Sequence, residues 1–383
     1  MDTTDLITID DVRRRARRKL PKMVLDFVEG GAEEELTLAR NRAGFGDIVL
    51  QPRYLVDVSE RDLATTILGS EAASPVLISS TGLNRLAHPE GELAVARAAA
   101  GEGSIFIVGV FSSYTIEEIR AASAGPLWFQ IYLWKDRGVT RDLVERARQA
   151  GYEALCLTVD VPVLGLRERD LRNGMTIPVK VSVRGALDVA RRPRWLYRLA
   201  RDSAPTFASM RGIEGAGGDS GMPLISYVNR ELFDPSQSWA DLEWLRELWD
   251  GKLVVKGILH PDDARRATEL GADGIMVSNH GGRQLDGVAG TVAALPRVVD
   301  AVGDRAEVIL DGGIRRGSDI VKALALGARG CGVGRPYWWG LAAGGEPGVR
   351  RVLEILNTET DRVMALVGKP RLADLDSSVL LAA

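Results

Sequence analysis

The sequence predicts a (β/α)8 barrel, an α/β fold in which eight parallel strands alternate with helices around a closed sheet. Eight short, apolar runs recur along the chain, and amphipathic helical patterns separate most of them. Unbroken apolar strands between helices indicate a parallel sheet that is covered on both faces. The starts of the runs mostly lie 22 to 33 residues apart, which suits one strand and one helix each. A doubly wound open sheet is the alternative architecture.

The predicted strands are taken from runs bounded by turn residues and helical patterns. One helical pattern begins at His260-Pro261-Asp262-Asp263, where proline and acidic residues are typical of a first helical turn. In chain order the strands are Val76–Ser80, Ile105–Val108, Leu127–Tyr132, Ala154–Asp160, Lys252–Gly257, Gly274–Asn279, Glu307–Gly313 and Gly330–Arg335.

Two segments fall outside the regular repeat, within what we predict to be one domain spanning residues 1–383. Residues 1–60 form a helical extension that we expect to cap the bottom of the barrel. Residues 165–245 form a long insertion after the fourth predicted strand. An insertion after a barrel strand lies on the catalytic face, so we expect this one to shape access to a site.

The composition is that of a soluble globular protein, with 45% hydrophobic and 26% charged residues. A net charge of −3 argues against general nucleic-acid binding. The two cysteines, Cys156 and Cys331, lie in apolar runs, so we expect buried, reduced thiols and a cytoplasmic setting. No basic-then-apolar leader opens the chain, and no uninterrupted apolar run is long enough to span a membrane. No metal site is predicted.

Polar residues follow the apolar part of most predicted strands, at the end where barrel enzymes carry their working groups. A cap or a satisfied core polar group would explain any one of them, but it explains the whole set poorly. They include Ser79-Ser80-Thr81-Gly82, Gln130 with Tyr132, Thr158-Val159-Asp160, Lys256-Gly257, Ser278-Asn279-His280, Asp311-Gly312-Gly313 and Gly334-Arg335-Pro336.

The most informative of these strand ends is residues 279–287, which contain one of only three histidines in the chain. His280 is a titratable imidazole at the end of an apolar run, and Arg283 follows three residues later. Two glycines between them allow the backbone to approach a ligand closely. This pattern is typical of a proton acceptor beside a cation that binds a small, negatively charged substrate.

The last two strand ends indicate a phosphate site. Residues 312–319 combine paired glycines, arginines and the start of a predicted helix, and Gly332-Val333-Gly334-Arg335 offers a similar set. Backbone N–H groups at such a position bind phosphate in many barrels.

Together these motifs resemble the FMN-dependent α-hydroxy-acid oxidising enzymes, the family of glycolate oxidase, lactate dehydrogenase and mandelate dehydrogenase. The resemblance runs from about Leu20 to Leu366. The segments that carry it are 20–24, 88–92, 128–132, 157–160, 255–257, 278–286, 311–317 and 334–336.

The resemblance implies FMN as cofactor, a small 2-hydroxy acid as substrate, and a role for each candidate residue. His280 would be the base and Asp160 its partner. Arg283 and Arg167 would hold the substrate carboxylate, Tyr132 would contact the substrate, and Lys256 would lie beside the flavin. The implied cofactor contacts are Ser80, Thr81, Gly82, Gln130, Thr158, Lys256, Ser278, Asp311, Gly313, Arg315, Gly334 and Arg335; the implied substrate pocket is Phe27, Phe111, Tyr132, Arg167, His280 and Arg283.

Three positions depart from the family pattern. Phe27 stands where most members have tyrosine, Gly109 replaces a usual serine, and Ser79-Ser80 replaces Ala-Pro or Gly-Pro. Neutral drift explains them as well as an altered substrate does, such as a larger or aromatic 2-hydroxy acid.

Several alternatives stay open at this point. The first is an FMN-dependent oxidase or deaminase of a specialised biosynthetic pathway, and the second is a non-enzymatic barrel that binds a phosphate ligand. Residues 184–201 interleave basic and apolar side chains, which suits either a peripheral contact at the inner face of a membrane or a solvated lid. The family resemblance also implies a homo-oligomer, most often a tetramer.

Overall fold

The centre of the molecule is a closed barrel of eight parallel strands, which confirms the predicted fold class. The structure, a computed structural model, describes residues 3–175, 182–201, 207–210 and 234–381. Each barrel strand pairs with its neighbour in the chain, and the last pairs with the first. A short hairpin of β1 (Thr65–Ile67) and β2 (Ser70–Ala72) precedes β3 (Val76–Ile78), β4 (Phe106–Gly109), β5 (Leu127–Ile131), β6 (Ala154–Thr158), β7 (Lys252–Ile258), β8 (Gly274–Val277), β9 (Glu307–Asp311) and β10 (Gly330–Val333).

All eight predicted barrel strands are confirmed, but most of them end one or two residues earlier than predicted. The reason is physical: the polar residues at the strand ends turn away from the hydrogen-bonded ladder and face the space above the barrel. At β8, for example, pairing with β9 stops at Val277, and the next three residues lie in a loop. The polar residues that follow the strands therefore mark both the end of the sheet and the candidate site.

Helices follow the strands and cover the outside of the barrel. Local sequence sets their starts: Thr115 and Glu118 form a reciprocal capping box on one helix, and the His260 side chain caps another that has proline in its first turn. The helices are α1 (Ile9–Lys19), α2 (Lys22–Glu29), α3 (Leu36–Ala43), α4 (Gly91–Gly101), α5 (Ile116–Ala121), α6 (Arg137–Gln149), α7 (Glu168–Asn173), α8 (Val183–Ala190), α9 (Pro193–Arg201), α10 (Trp239–Leu248), α11 (Pro261–Glu269), α12 (Thr291–Val302), α13 (Gly317–Ala325), α14 (Arg335–Gly344) and α15 (Glu346–Val367).

The β1–β2 hairpin, not the N-terminal helices, closes the bottom of the barrel. Ile67 and Leu68 of the hairpin approach Gly330 and Gly274, which begin two barrel strands. The hairpin shares a fully buried cluster with side chains from inside the barrel, among them Trp128. The Trp128 indole donates a hydrogen bond to the Ser70 hydroxyl at 3.1 Å, so its one polar atom is satisfied.

The N-terminal segment lies at the opposite end, and the expectation that it caps the bottom is wrong. The backbone carbonyls of Phe27 and Val28 accept hydrogen bonds from arginines that follow barrel strands. Farther along, the Asn41 side chain exchanges two 2.8 Å hydrogen bonds with Asn279, directly after β8. The amphipathic pattern of a helix predicts that one of its faces is buried, but it does not predict which end of a barrel that face covers. The prediction failed for this reason.

The insertion after β6 contributes α7, α8, α9 and α10. Of the predicted 165–245 segment, residues 176–181, 202–206 and 211–233 lie outside the described residues. Phe207 packs on Phe111, which follows β4, with ring centroids 5.0 Å apart, so part of the insertion lies at the carboxyl end of the barrel strands. In the described part of the chain, no helix combines the length and the apolar character that crossing a bilayer requires.

Candidate active site

A cavity of about 310 Å³ opens at the carboxyl ends of the barrel strands. Its wall is built mostly from residues that follow the strands, with two residues from the N-terminal segment and two, Arg167 and Phe207, from the insertion. The strand-end residues include Ser80, Thr81, Gln130, Tyr132, Thr158, Lys256, His280, Asp311, Arg315 and Arg335; Phe27, Val28 and Phe207 come from the other segments.

His280, which lines this cavity, forms a tight pair with Asp160. The Nδ1 atom of His280 lies 2.9 Å from the Oδ1 atom of Asp160. His280 has a φ of +56°, a strained conformation for a non-glycine residue, and the Ser278 hydroxyl accepts its backbone N–H at 3.2 Å. The turn thus aims the ring across the barrel at the strand end that carries Asp160.

The environment keeps the imidazole neutral and the carboxylate ionised. Burial lowers the pKa of His280 below 6.5, with Asp160 acting in the opposite direction. Burial raises the pKa of Asp160, but the hydrogen bond and charge of His280, followed by Lys256, lower it below 3.8 overall. A neutral ring whose Nδ1 proton is held by a carboxylate presents Nε2 as a free proton acceptor.

Two partly buried arginines lie beside this pair. Arg283 donates to the Phe27 carbonyl at 2.5 Å and to the Gly30 carbonyl at 3.0 Å, and its guanidinium stacks 5.3 Å from the centre of the Phe27 ring. Arg167 donates to the Arg283 carbonyl at 3.4 Å. Burial lowers the pKa of both guanidinium groups, and the charge of Arg167 adds to the effect at Arg283. Two cations this close and this dry favour an anion between them.

Asp170 is the carboxylate nearest to these arginines, but it does not neutralise them tightly. Its Oδ2 atom is 3.9 Å from Arg283, too far for a hydrogen bond. Burial raises the pKa of Asp170 to about 6, although Arg283 and Arg167 oppose the shift. The guanidinium N–H groups that face the cavity are therefore available for another carboxylate.

Lys256 carries a buried positive charge at the base of the cavity. Its ammonium group lies 3.1 Å from the Ser278 hydroxyl and 3.5 Å from the Asp311 carboxylate. Burial disfavours the charged form, but Asp311 and then Asp160 outweigh it and raise the pKa of Lys256. Ser79 and Ser278 each donate to Asp311 at 2.8 Å, so the acceptor that holds the lysine is itself fixed.

Arg315 and Arg335 form a second pair of partly buried cations at the cavity, and Arg335 shares the Gly30 carbonyl as acceptor with Arg283. Arg335 donates to the carbonyls of Val28, Gly281 and Gly30 at 2.8 to 2.9 Å, and Arg315 lies 4.9 Å from the Trp339 ring centre. Burial lowers the pKa of both, and the charge of Arg335 lowers that of Arg315 further. Neither forms an ion pair with a residue of the described ranges.

The whole chain matches one family of known proteins. Residues 16–382 match the family described as FMN-dependent dehydrogenase. An L-lactate oxidase of Nostoc sp. is 46% identical over 378 residues, covering 98% of both chains, and an L-lactate dehydrogenase of Caulobacter vibrioides is 44% identical over 371 residues, covering 97% of this chain and 96% of the relative. The crystal structure of the monotopic membrane protein (S)-mandelate dehydrogenase superposes with a TM-score of 0.95 at 41% identity and covers 99% of this chain and 100% of that one.

The chain belongs to the FMN-dependent dehydrogenase family. Membership confirms the resemblance drawn from the motifs, the assignment as an FMN enzyme and the flavin cofactor. The residues present also fit FMN on their own chemistry. Two partly buried guanidinium groups, Arg315 and Arg335, pair with no carboxylate in the described part of the chain and suit a phosphate. The buried ammonium group of Lys256 suits a polar ring edge.

The structure brings together nearly every site residue that the sequence predicts for this FMN-dependent enzyme. Asp160 and Ser278 are the exceptions, because they lie behind His280 and Lys256 and act on them rather than lining the cavity. The predicted thiols, Cys156 and Cys331, are buried and free.

Sequence reasoning missed residues that enter the cavity from outside the strand ends. Val28 and Phe207 are examples, and Leu164 in the loop after β6 is another. The motif around Phe27 pointed toward the first of these, but no periodicity or motif marks Phe207.

Proposed function

We propose that this protein oxidises an L-2-hydroxy acid with a bulky, apolar side chain to the 2-oxo acid. The observation that carries the proposal is the pairing of His280 with Asp160 next to Arg283 and Arg167 in one cavity. A proton acceptor beside two cations suits a substrate that carries a hydroxyl and a carboxylate on adjacent carbons.

His280 accepts a proton from the substrate at Nε2, and Asp160 stabilises the imidazolium that forms. The 2.9 Å hydrogen bond fixes the ring and its tautomer, so the accepting nitrogen stays directed at the cavity. Arg283 and Arg167 bind the carboxylate, which orients the carbon that is oxidised. The pKa of the Tyr132 hydroxyl is raised to about 12 by burial, so it stays protonated and donates a hydrogen bond to the substrate.

FMN supplies the chemistry that no side chain provides, acceptance of two electrons from the substrate. On the residues present, Arg315 and Arg335 would hold its phosphate, while Gln130, Thr158 and Lys256 would contact its ring. Gln130 donates to the Thr158 hydroxyl at 3.0 Å, which orients its amide within the cavity. The further contacts follow the predicted set: Ser80, Thr81, Gly82, Asp311, Gly313 and Gly334.

The apolar wall supports a bulky substrate. Phe111 packs against Tyr132 and Phe207 with ring centroids 5.6 and 5.0 Å apart, and Phe27 and Leu164 complete the wall. Gly109 lies on the other side of the cavity, where an added Cβ would come within 3.5 Å of the Gln130 amide oxygen and the Ser80 Cβ, among the predicted cofactor contacts. The apolar wall buries an aromatic or branched side chain, at about 25 cal/mol per Å² of apolar surface, and gives glycolate little to contact.

An anaerobic screen of flavin reduction tests this function. The yellow holoenzyme is mixed with L-mandelate, L-2-hydroxy-4-methylpentanoate, L-lactate and glycolate, and bleaching near the flavin absorbance maximum is followed. We expect the first two to reduce the flavin with higher kcat/KM than the last two. Bleaching by none of them, or undiminished bleaching in His280→Ala, would reject the assignment.

The exposed face of α8 and α9 supports a second proposal, contact with a membrane surface. Val183, Leu187, Leu196 and Tyr197 are 80%, 57%, 43% and 65% exposed, and basic residues flank them. The structural relative with a TM-score of 0.95 is a monotopic membrane protein. Flotation of the holoenzyme with phosphatidylglycerol vesicles tests this contact: Leu187→Ser with Tyr197→Ser should abolish co-flotation, and retention by that variant contradicts it. The predicted homo-tetramer stays a prediction.

A further inference from the structure

A second cavity, of about 290 Å³, lies away from the active site. Four parts of the chain meet there: the end of α1, the loop 85–89 that follows the first barrel strand, the turn after α8 together with α9, and Ala342 of α14. None of its lining residues also lines the active-site cavity. The sequence motif that begins at His88 contributes to it, and the proposed oxidation gives that histidine no role.

The lining of this second cavity is strongly basic. Seven of its sixteen residues are arginine or lysine, His88 is an eighth basic group, and none of the sixteen is acidic. Arg18, Arg191, Arg194 and Arg198 form no ion pair with any residue of the described ranges. Elsewhere on the surface the arginines mostly pair with carboxylates, as Arg97 does with Glu90 and Glu346.

The cations of this cavity lie close enough to repel one another. Burial, followed by the charges of Arg15, Arg198 and Arg194, lowers the pKa of Lys19. Burial and then the charge of Arg198 also lower the pKa of His88. Lys19 and His88 are partly buried, whereas Arg18, Arg191, Arg194 and Arg198 are exposed. Like charges this close together repel one another, and a bound anion offsets that repulsion.

The rest of the cavity wall is apolar, and hydrogen bonds hold its segments together. The Trp195 indole donates to the Leu86 carbonyl at 2.8 Å, which fastens α9 over the loop 85–89, and Arg192 donates to the Leu20 carbonyl at 3.3 Å. Leu20, Leu86 and Leu199 line the cavity beside these contacts. The walls are thus tied together through neutral backbone acceptors, and the guanidinium groups of Arg194 and Arg198 take no part in these contacts.

We propose that this second cavity binds the phosphate of a phosphate ester, with Arg194 and Arg198 as its main charge partners. Guanidinium groups suit phosphate oxygens because each presents parallel N–H donors, and the apolar wall accommodates the organic part of an ester. The ester can be a phospholipid headgroup or a soluble metabolite, since both carry the same group. The inference does not depend on the proposed oxidation.

Binding experiments on the holoenzyme test the cavity at constant ionic strength. The soluble probe is glycerol 3-phosphate, measured by calorimetry; the lipid probe is phosphatidylglycerol vesicles, measured by co-sedimentation, with phosphatidylcholine as the neutral reference. The variant is Arg194→Glu with Arg198→Glu. The matched control is Arg184→Glu with Arg201→Glu, which makes the same charge change at one residue of α8 and one of α9 without altering the cavity lining.

We expect wild type and the Arg184/Arg201 control to bind at least one phosphate probe, and the Arg194/Arg198 variant to lose that binding at least tenfold. Binding of both probes indicates a soluble ester, and binding of vesicles alone indicates a lipid headgroup. Leu187→Ser with Tyr197→Ser should keep the soluble binding, which separates this cavity from the apolar membrane contact. Equal loss in both arginine double variants, equal binding to phosphatidylcholine, or no binding of either probe by wild type overturns the proposal.

Discussion

The two ends of the barrel differ in what fills them. At the bottom, the β1–β2 hairpin and the first residues of the strands form a fully apolar cluster of side chains such as Ile67, Leu77 and Met276. At the top, the same strands end in charges: Lys256 pairs with Asp311 at 3.5 Å, and His280 pairs with Asp160 at 2.9 Å. One set of strands therefore carries a dry core at one end and a costly polar network at the other.

This difference indicates that the residues that stabilise the fold and the residues that carry the chemistry lie at separate ends of the barrel. Burying apolar surface at the bottom stabilises the fold, at about 25 cal/mol per Å². Burying charges at the top costs free energy unless each is paired or binds a ligand. The strained turn at His280 and the two pairs of partly buried arginines are such costs. Substitutions at the two ends should therefore have opposite signatures.

The largest effect is expected at the top, in His280→Ala. Loss of the proton acceptor should lower kcat/KM about 10² to 10⁴-fold, while flavin content and the midpoint of urea unfolding change little. Steady-state kinetics and the visible spectrum of the purified variant measure both quantities.

His260→Ala is the matched control for that variant. His260 is 60% exposed and caps α11, so its loss should cost about 0.5–2 kcal/mol of stability with no change in kcat/KM. If the two histidine variants have equal kcat/KM, His280 is not the proton acceptor, and the proposed functional difference between the two ends of the barrel is wrong.

The opposite signature is expected at the bottom, in Ile67→Ala. Ile67 is fully buried between the hairpin and the barrel, so removing three carbons should lower the free energy of unfolding by about 2–5 kcal/mol. The kcat/KM of the folded variant should match wild type. Urea unfolding and kinetics at a temperature where both proteins are folded test this, and a tenfold loss of kcat/KM would show that the two ends are coupled.

The two ends were also unequally predictable from sequence. The eight strands and the polar residues that follow them carry their own signals, because period, apolar content and strand-end chemistry are local properties. His280, Arg283 and Lys256 could therefore be placed in one cavity before the structure was known.

The parts that sequence reasoning misplaced depend on contacts between distant segments. Nothing local to residues 65–72 marks a hairpin that plugs the barrel, and the amphipathic helices before it do not say which end they cover. Phe207 reaches the cavity by tertiary packing on Phe111. The sequence likewise does not predict that Asp170 and Arg283 lie 3.9 Å apart, which is too far for a hydrogen bond.

The pH dependence of kcat/KM tests the protonation state proposed for His280 at the top of the barrel. Because burial lowers the pKa of His280, the neutral, accepting form persists below pH 6.5, and kcat/KM should decline only as the pH falls beneath that value. Asp160 raises the pKa of His280, so Asp160→Asn should move this decline to still lower pH and reduce the plateau. Profiles of kcat/KM between about pH 4 and 8 measure both. A decline that begins above 6.5, or a shift to higher pH in Asp160→Asn, contradicts this electrostatic account.

The smallest effect is expected for Phe27→Tyr, at the edge of the cavity. Phe27 lies under the Arg283 guanidinium, so a tyrosine hydroxyl there extends the set of donors near the substrate carboxylate. A hydrogen bond to a charged group contributes about 1.5 kcal/mol, which corresponds to a kcat/KM roughly tenfold higher. Phe111→Tyr adds the same hydroxyl to the apolar wall instead, and it should lower kcat/KM for the bulky substrate. If both tyrosines have the same effect, the cavity does not divide into a carboxylate side and an apolar side. If only Phe27→Tyr improves kcat/KM, the hydroxyl that Phe27 lacks would bind the substrate carboxylate. Charge and hydrogen bonding, rather than packing, would then set the kcat/KM at this end of the barrel.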